Sequence, residues 1–144
     1  MFIGNIMTPE VITTTPASSI GAAIDLMRQH SIRRLPVVED DKLVGIVTDR
    51  DLRQATNSPL VLRERWYSEF LLEAIKVRSC MTPDPITVTP ATPVAQAAQL
   101  LRRHKIGGLP VVDVGQADRL VGMVTITDML DCLIELLTQE EESD

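Results

Sequence analysis

Leu35-Pro36-Val37-Val38, a polar Glu39-Asp40-Asp41-Lys42, and then Leu43-Val44-Gly45-Ile46-Val47-Thr48-Asp49-Arg50-Asp51 form the stretch on which the reading of this chain turns. Two short apolar runs split by a polar tetrad are the pattern of two buried strands joined by a tight turn. A helix is expected to begin at Thr48. The same stretch then returns. Leu109-Pro110-Val111-Val112 follows its counterpart by 74 positions, and Leu120-Val121-Gly122-Met123-Val124-Thr125-Ile126-Thr127-Asp128 follows by 77. The second copy therefore carries a three-residue insertion in the turn, which is cheap because closure entropy grows slowly with loop length.

Outward from these segments the agreement continues. Met7-Thr8-Pro9 meets Met81-Thr82-Pro83, Thr15-Pro16 meets Thr89-Pro90, His30 meets His104, and Ile32 meets Ile106. Ser18 or Ser19 begins a helical pattern with apolar Ile20, Ala23, Ile24 and Met27; Thr92-Pro93 begins its equivalent at Val94, Ala97, Ala98 and Leu101. Both follow i, i+3, i+4, i+7 spacing behind a capping residue. Each copy thus reads strand, helix, strand, strand, helix over about 50 residues, too few to bury a core well alone. The copies are expected to pack on each other. The organisation is a first motif at 1–57, a helical connector at 58–78, a second motif at 79–138 and a frayed acidic tail at 139–144. Leu62, Trp66, Phe70 and Leu71 are available for one face of the connector. Its aromatics Trp66, Tyr67 and Phe70 cover the edge of the paired repeats or form a dimer contact, where such residues are enriched.

Composition bounds the function. Of 144 residues 44% are hydrophobic and 3% aromatic, so a real core is expected, built from aliphatic side chains. Lys and Arg number 14 against 20 Asp and Glu, a net charge of -6. That excludes nucleic acid as the natural partner, since non-specific affinity comes from clustered basic residues neutralising phosphates. Glu140, Glu141, Glu142 and Asp144 account for much of the imbalance. No apolar run approaches the roughly 18 to 20 residues of a membrane-spanning helix, and no direct membrane insertion is expected. Cys80 and Cys132 show no C-x-x-C spacing, and no leader signature precedes Asn5, so a reducing cytoplasm is the expected compartment.

The repeated Gly-x-x-Thr-x-x-Asp carries the chemistry. Glycine inside an apolar strand marks close approach of a backbone or a ligand. Thr48 and Thr125 stand at helix entrances, where free N–H groups and the dipole favour an anion. Asp51 and Asp128, three positions on, suit the hydroxyls of a ribose. The same pattern is close to a capping box, in which the two side chains satisfy each other's backbone N–H groups. His30 and His104 are expected to cap helix ends or face solvent, and nothing has zinc-ligand spacing. No nucleophile or P-loop signature is present, so no catalysis, catalytic cofactor or metal is expected. The acidic tail holds magnesium poorly.

The Met-Thr-Pro openings, Leu-Pro-Val-Val strands and Gly-x-x-Thr-x-x-Asp ends together resemble the CBS domain family, over 6–52 and 80–133. Two such motifs in one chain look like a Bateman module, with Ile32-Arg33-Arg34-Leu35-Pro36 and Val47 to Arg53 similar to bacterial stand-alone pairs and the acetoin-utilisation type. The resemblance implies an α/β fold of tandem motifs about a pseudo-twofold axis, two clefts for adenosine nucleotides (AMP, ADP, ATP) or S-adenosylmethionine, a homodimer, and regulation of an enzyme or transporter. It implies a first site of Thr8, Val11, Ile12, Leu35, Pro36, Thr48 and Asp51, to which the charge pattern adds Arg33, Arg34 and Arg50. The second is implied to use Thr82, Pro85, Ile86, Leu109, Pro110, Thr125 and Asp128. In each, the opening strand lines the base pocket and the Leu-Pro pair forms the opposite wall. Arg33, Arg34 and Arg50 match phosphate oxygens where the second copy has Gly107, Gly108 and Thr127, so the first site is expected to prefer anionic nucleotides. Those arginines also fit solvated ion pairs with Glu39, Asp40 or Asp41. The competing function is a ligand-independent adaptor docking through Trp66, Tyr67 and Phe70.

Overall fold

A computed structural model describes residues 1–56, 65–116 and 118–143. The fold is mixed α/β with two small antiparallel sheets. Two compact bodies form, one of Ile12–Pro85 and one of Met1–Val11 with Ile86–Asp144.

In the first body, Ser19 opens α1 (Ile20–His30) by accepting the Ala22 N–H at 3.1 Å, and left-handed Ser31 ends it. β1 (Arg34–Glu39) and β2 (Lys42–Thr48) pair antiparallel, with Leu35 opposite Val47. Their turn is the expected tight one: Asp40 and Asp41 have φ of 51° and 63°, the doubly left-handed geometry whose twist suits a hairpin. α2 (Asp49–Thr56) follows β2 directly. α3 (Arg65–Ala74) lies between the two repeats and packs on α1, where a Cβ on Gly21 would meet the Leu72 carbonyl oxygen at 3.1 Å. Phe70 is exposed; Leu62 and the side chains of Trp66 and Tyr67 lie outside the described residues. Ile20, Ala23, Met27, Leu35, Val37, Val47, Leu52 and Val77 make the core.

The second body repeats the plan with α4 (Val94–His104), β4 (Gly108–Val112), β5 (Leu120–Thr125) and α5 (Ile126–Ser143) around Ile3, Val88, Ala97, Leu101, Leu109, Val111 and Val124. Two expectations change here. Pro93, whose ring has no polar atom, is the N-cap of α4, and the Thr92 hydroxyl expected there instead accepts the Thr89 N–H at 3.0 Å. The residues expected to fray from position 139 continue α5 through Ser143.

The openings are exchanged between the repeats, each body holding the opening of one with the sheet of the other. β3 (Thr82–Pro83), which begins the second repeat, pairs with β2 of the first, Thr82 opposite Ile46. Thr8, which begins the first repeat, bridges Met123 of β5, with N–H to O distances of 2.9 and 3.0 Å. Only then does each repeat join its own sheet, Thr14 beside Val37 and Val88 beside Val111, both parallel. Left-handed Glu10 and Asp84, at φ of 54° and 46°, bend the chain just before it passes from one body to the other. The strand glycines follow from this exchange. A Cβ on Gly45 would lie 2.6 Å from the Met81 sulfur, and one on Gly122 2.7 Å from that of Met7. The close approach foreseen at these glycines is thus that of the other repeat's Met-Thr-Pro.

Candidate functional site

Both Thr-x-x-Asp segments close as reciprocal caps. The Thr48 N–H donates to Asp51 Oδ2 at 2.9 Å and the Asp51 N–H to Thr48 Oγ1 at 3.2 Å. In the second copy the corresponding distances are 2.8 and 3.3 Å. All four residues are half-buried. Capping leaves chemistry to spare, because an ionised carboxylate accepts at two oxygens and, among the described residues, Oδ1 of each aspartate takes no bond from protein. The boxes differ in one respect. Thr125 donates its hydroxyl to Asp128 Oδ2 at 3.1 Å, whereas the Thr48 hydroxyl proton has no such acceptor among the described residues. The first box therefore offers one donor and one carboxylate oxygen; the second offers the oxygen alone.

Two cationic side chains lie on the elements that form the first box. Arg50 sits exposed in the first turn of α2, and half-buried Arg34 stands opposite Thr48 in the hairpin. Burial pushes the Arg34 guanidinium below its ordinary value; the Asp49 carboxylate opposes that and Arg33 adds to it. Arg33, just before β1, is exposed. It lines a cleft of about 310 Å³ between α1 and α2, with Arg28, Arg53 and Asp49 at the rim and Ile24, Met27 and Leu52 beneath, where Arg53 and Asp49 pair at 3.4 Å. Arg28, Arg53 and Asp49 escaped the sequence reading because their juxtaposition comes from helix packing. The aspartates of the Glu39 to Lys42 turn pair with none of the three arginines among the described residues.

Burial also pushes up the Cys80 thiol, and the Asp51 carboxylate adds to the effect. Iodoacetamide at pH 8 should accordingly label Cys80 more slowly than it labels glutathione, and Asp51→Asn should raise the rate. An unchanged rate in Asp51→Asn would remove the electrostatic link between the two residues.

The structure sorts the other residues differently from the sequence grouping. Thr8, Val11, Ile86, Leu109, Pro110, Thr125 and Asp128 belong to the second body; Ile12, Arg33 to Pro36, Thr48, Arg50, Asp51, Thr82 and Pro85 belong to the first. Thr8 thus pairs within its own body with Met123 of β5. The Leu-Pro walls need correction too. Leu35, Pro36, Leu109 and Pro110 are fully buried, and the Pro36 and Pro110 carbonyls accept the Thr14 and Val88 N–H groups at 3.0 and 3.1 Å. They are core residues with their polar groups committed, since proline has no N–H to offer. His30 and His104 are exposed, and among the described residues no three potential ligands gather to hold a metal. Nor is any described helix long and apolar enough to cross a membrane.

The fold is shared with known proteins. The chain belongs to the CBS domain family, whose profile matches residues 3–58 and 77–135. It is 40% identical over 138 residues to a CBS domain-containing protein of Dictyostelium discoideum, covering 95% of this chain and 94% of that one. Inosine-5'-monophosphate dehydrogenase of Korarchaeum cryptofilum is 40% identical over 120 residues, which are 83% of this chain and 22% of the enzyme. Among solved structures, AcuB of Vibrio cholerae superposes with a TM-score of 0.80 at 32% identity, covering 100% of this chain and 98% of that one. CBSX2, solved in complex with AMP, gives 0.77 at 28% identity, covering 94% and 97%.

Proposed function

We propose that the chain is a regulatory, non-catalytic module that binds an adenosine nucleotide or related adenosyl compound at its Thr-x-x-Asp ends. The observation that carries this reading is the uncommitted Asp51 and Asp128 oxygen beside a capped helix start, which can accept a ribose hydroxyl without breaking the cap. The AMP complex of CBSX2 supports it, as does a CBS domain pair, protein MJ0100, solved with 5'-methylthioadenosine and S-adenosylmethionine at 28% identity. The first copy is the preferred site for a charged nucleotide, supported by the free Thr48 hydroxyl and by Arg34 and Arg50. Two copies form the working unit. Binding regulates a partner enzyme or transporter by favouring one arrangement of the module over another, which requires tighter binding to that arrangement.

A thermal-shift panel of AMP, ADP, ATP, NAD, S-adenosylmethionine and cyclic dinucleotides tests the reading. A true ligand at about 100 times its dissociation constant adds about 2.7 kcal/mol, a rise of roughly 5 to 10 °C for a chain of this size. A flat response across the panel would refute it. The adaptor reading has exposed Phe70 in its favour; it requires partner capture that survives Asp51→Ala and Asp128→Ala together.

A further inference from the structure

α1 and α2 bound a cleft that the nucleotide reading does not use. α2 turns Asp49, Leu52, Arg53 and Thr56 into it, the i, i+3, i+4, i+7 set that forms one face of a helix. α1 contributes Ile24, Met27 and Arg28 with the same spacing, and Ile32 and Arg33 come from the link between α1 and β1. Neither Thr48 nor Asp51 lines it. Its volume of about 310 Å³ lies at the lower end of small-molecule sites and has room for about ten water-sized groups at roughly 30 Å³ each. Met27 and Leu52 are buried in its floor, while Arg28, Arg33 and Arg53 are exposed at its rim.

The charged rim is not needed to build the repeat. The second copy forms the same hairpin between two helices with Gly107 in place of Arg33, Ile126 in place of Asp49 and Leu130 in place of Arg53; Arg28 alone keeps its charge, as Arg102. The floor, by contrast, stays apolar, with Leu101, Ile106 and Met129 at the positions of Met27, Ile32 and Leu52. Folding thus accounts for the floor and leaves the cations unexplained. Nor are they neutralised within the chain. Arg53 pairs with Asp49 at 3.4 Å, and among the described residues Arg28 and Arg33 pair with no carboxylate. Three guanidiniums against one carboxylate leave the cleft with a surplus of two positive charges, which repel one another until an anion lies among them.

We propose that this cleft binds a small amphipathic anion, a phosphate monoester carrying a short apolar group, independently of any nucleotide at the Thr-x-x-Asp ends. A phosphate dianion cancels the two surplus charges and takes hydrogen bonds from Arg28 and Arg33, whose forked donors match its oxygens. The apolar group removes Ile24, Met27 and Leu52 from water. A monocarboxylate cancels only one of the charges, inorganic phosphate leaves the floor wet, and a whole nucleotide exceeds the space.

Calorimetric titration of the full chain with hexyl phosphate at about pH 8, where a phosphate monoester is a dianion, provides the test. One equivalent should bind with a dissociation constant on the order of 0.1 mM, ordinary for a ligand of this size, and hexanoate and inorganic phosphate should each bind about tenfold more weakly. Arg28→Gln with Arg33→Gln, both at exposed positions, should weaken hexyl phosphate by at least about tenfold with no fall in melting temperature. Asp49→Asn removes the competing carboxylate and should tighten it about threefold, a gain that a structural role for Asp49 would not produce. Asp51→Asn should leave it unchanged. Absence of heat up to about 10 mM, about 100 times the expected constant, overturns the proposal and is the result expected of a cleft that takes only a protein segment. Inorganic phosphate binding as tightly as hexyl phosphate overturns the part given to the apolar floor. Binding lost in Asp51→Asn but kept in the double arginine variant places the probe among the nucleotide-binding groups and overturns the separate site. None of these results bears on the nucleotide thermal shifts, which report the Thr-x-x-Asp reading by themselves.

Discussion

Gly45→Val should destabilise the chain by about 3 kcal/mol or more, a drop in melting temperature of roughly 10 °C. An added Cβ meets the Met81 sulfur at 2.6 Å and the Thr82 carbonyl oxygen at 3.0 Å. The thioether can swing aside, since methionine is flexible. The carbonyl cannot, because β3 is held in register against β2, and two further γ-carbons leave no rotamer free of strain. Gly45→Ala, which adds the Cβ alone, should cost about 1 to 3 kcal/mol. Met81→Ala removes the sulfur, so the double variant should be less destabilised than the sum of the singles by about 1 kcal/mol. Urea denaturation measures all three. Strict additivity would mean that the second repeat's opening does not press on the first repeat's strand, and the exchanged topology would fall with it. Gly122 and Met7, at 2.7 Å, should behave alike.

Asp51→Ala should lower affinity for the nucleotide found by thermal shift on the order of 100-fold, the loss of a charge-assisted hydrogen bond from a partly buried site. Asp128→Ala should lower it less than about threefold, because the second copy has neither the arginines nor a free threonine hydroxyl to make its site the occupied one. The cap makes the comparison fair. Each substitution removes one reciprocal cap, worth about 1 kcal/mol, so both unliganded variants should melt at nearly equal temperatures. A difference in calorimetric affinity between them then reports the ligand and not the fold. Equal affinity losses would end the case for a preferred first site, and no loss in either would end the role of these aspartates.

The repeat explains why so much of this could be read from the chain. Alternating and helical apolar spacing at Leu35, Val37, Val47, Ile20, Ala23 and Met27 follows from burial on one face, and these residues are the observed core. The Asp40-Asp41 turn was legible because few residues tolerate two successive left-handed conformations. Thr48 and Asp51 were legible only as two alternatives, since one spacing serves both a cap and a ribose. Their hydrogen bonds show the cap, and the unused carboxylate oxygens keep the second use open. The Leu-Pro pairs misled because apolar residues that line a pocket and apolar residues that fill a core look the same in one dimension.

The order of elements and the contrast between the Arg33, Arg34 and Arg50 of one copy and the Gly107, Gly108 and Thr127 of the other were determined by sequence alone, because they depend on neighbours within a few positions. Only the tertiary structure decided that Met-Thr-Pro of each repeat completes the other's sheet, that Arg33 shares a cleft with Arg28 and Arg53, and that the acidic end of α5 stays helical. Such facts depend on which segments pack together in space, and local spacing carries no record of a partner chosen by shape and burial.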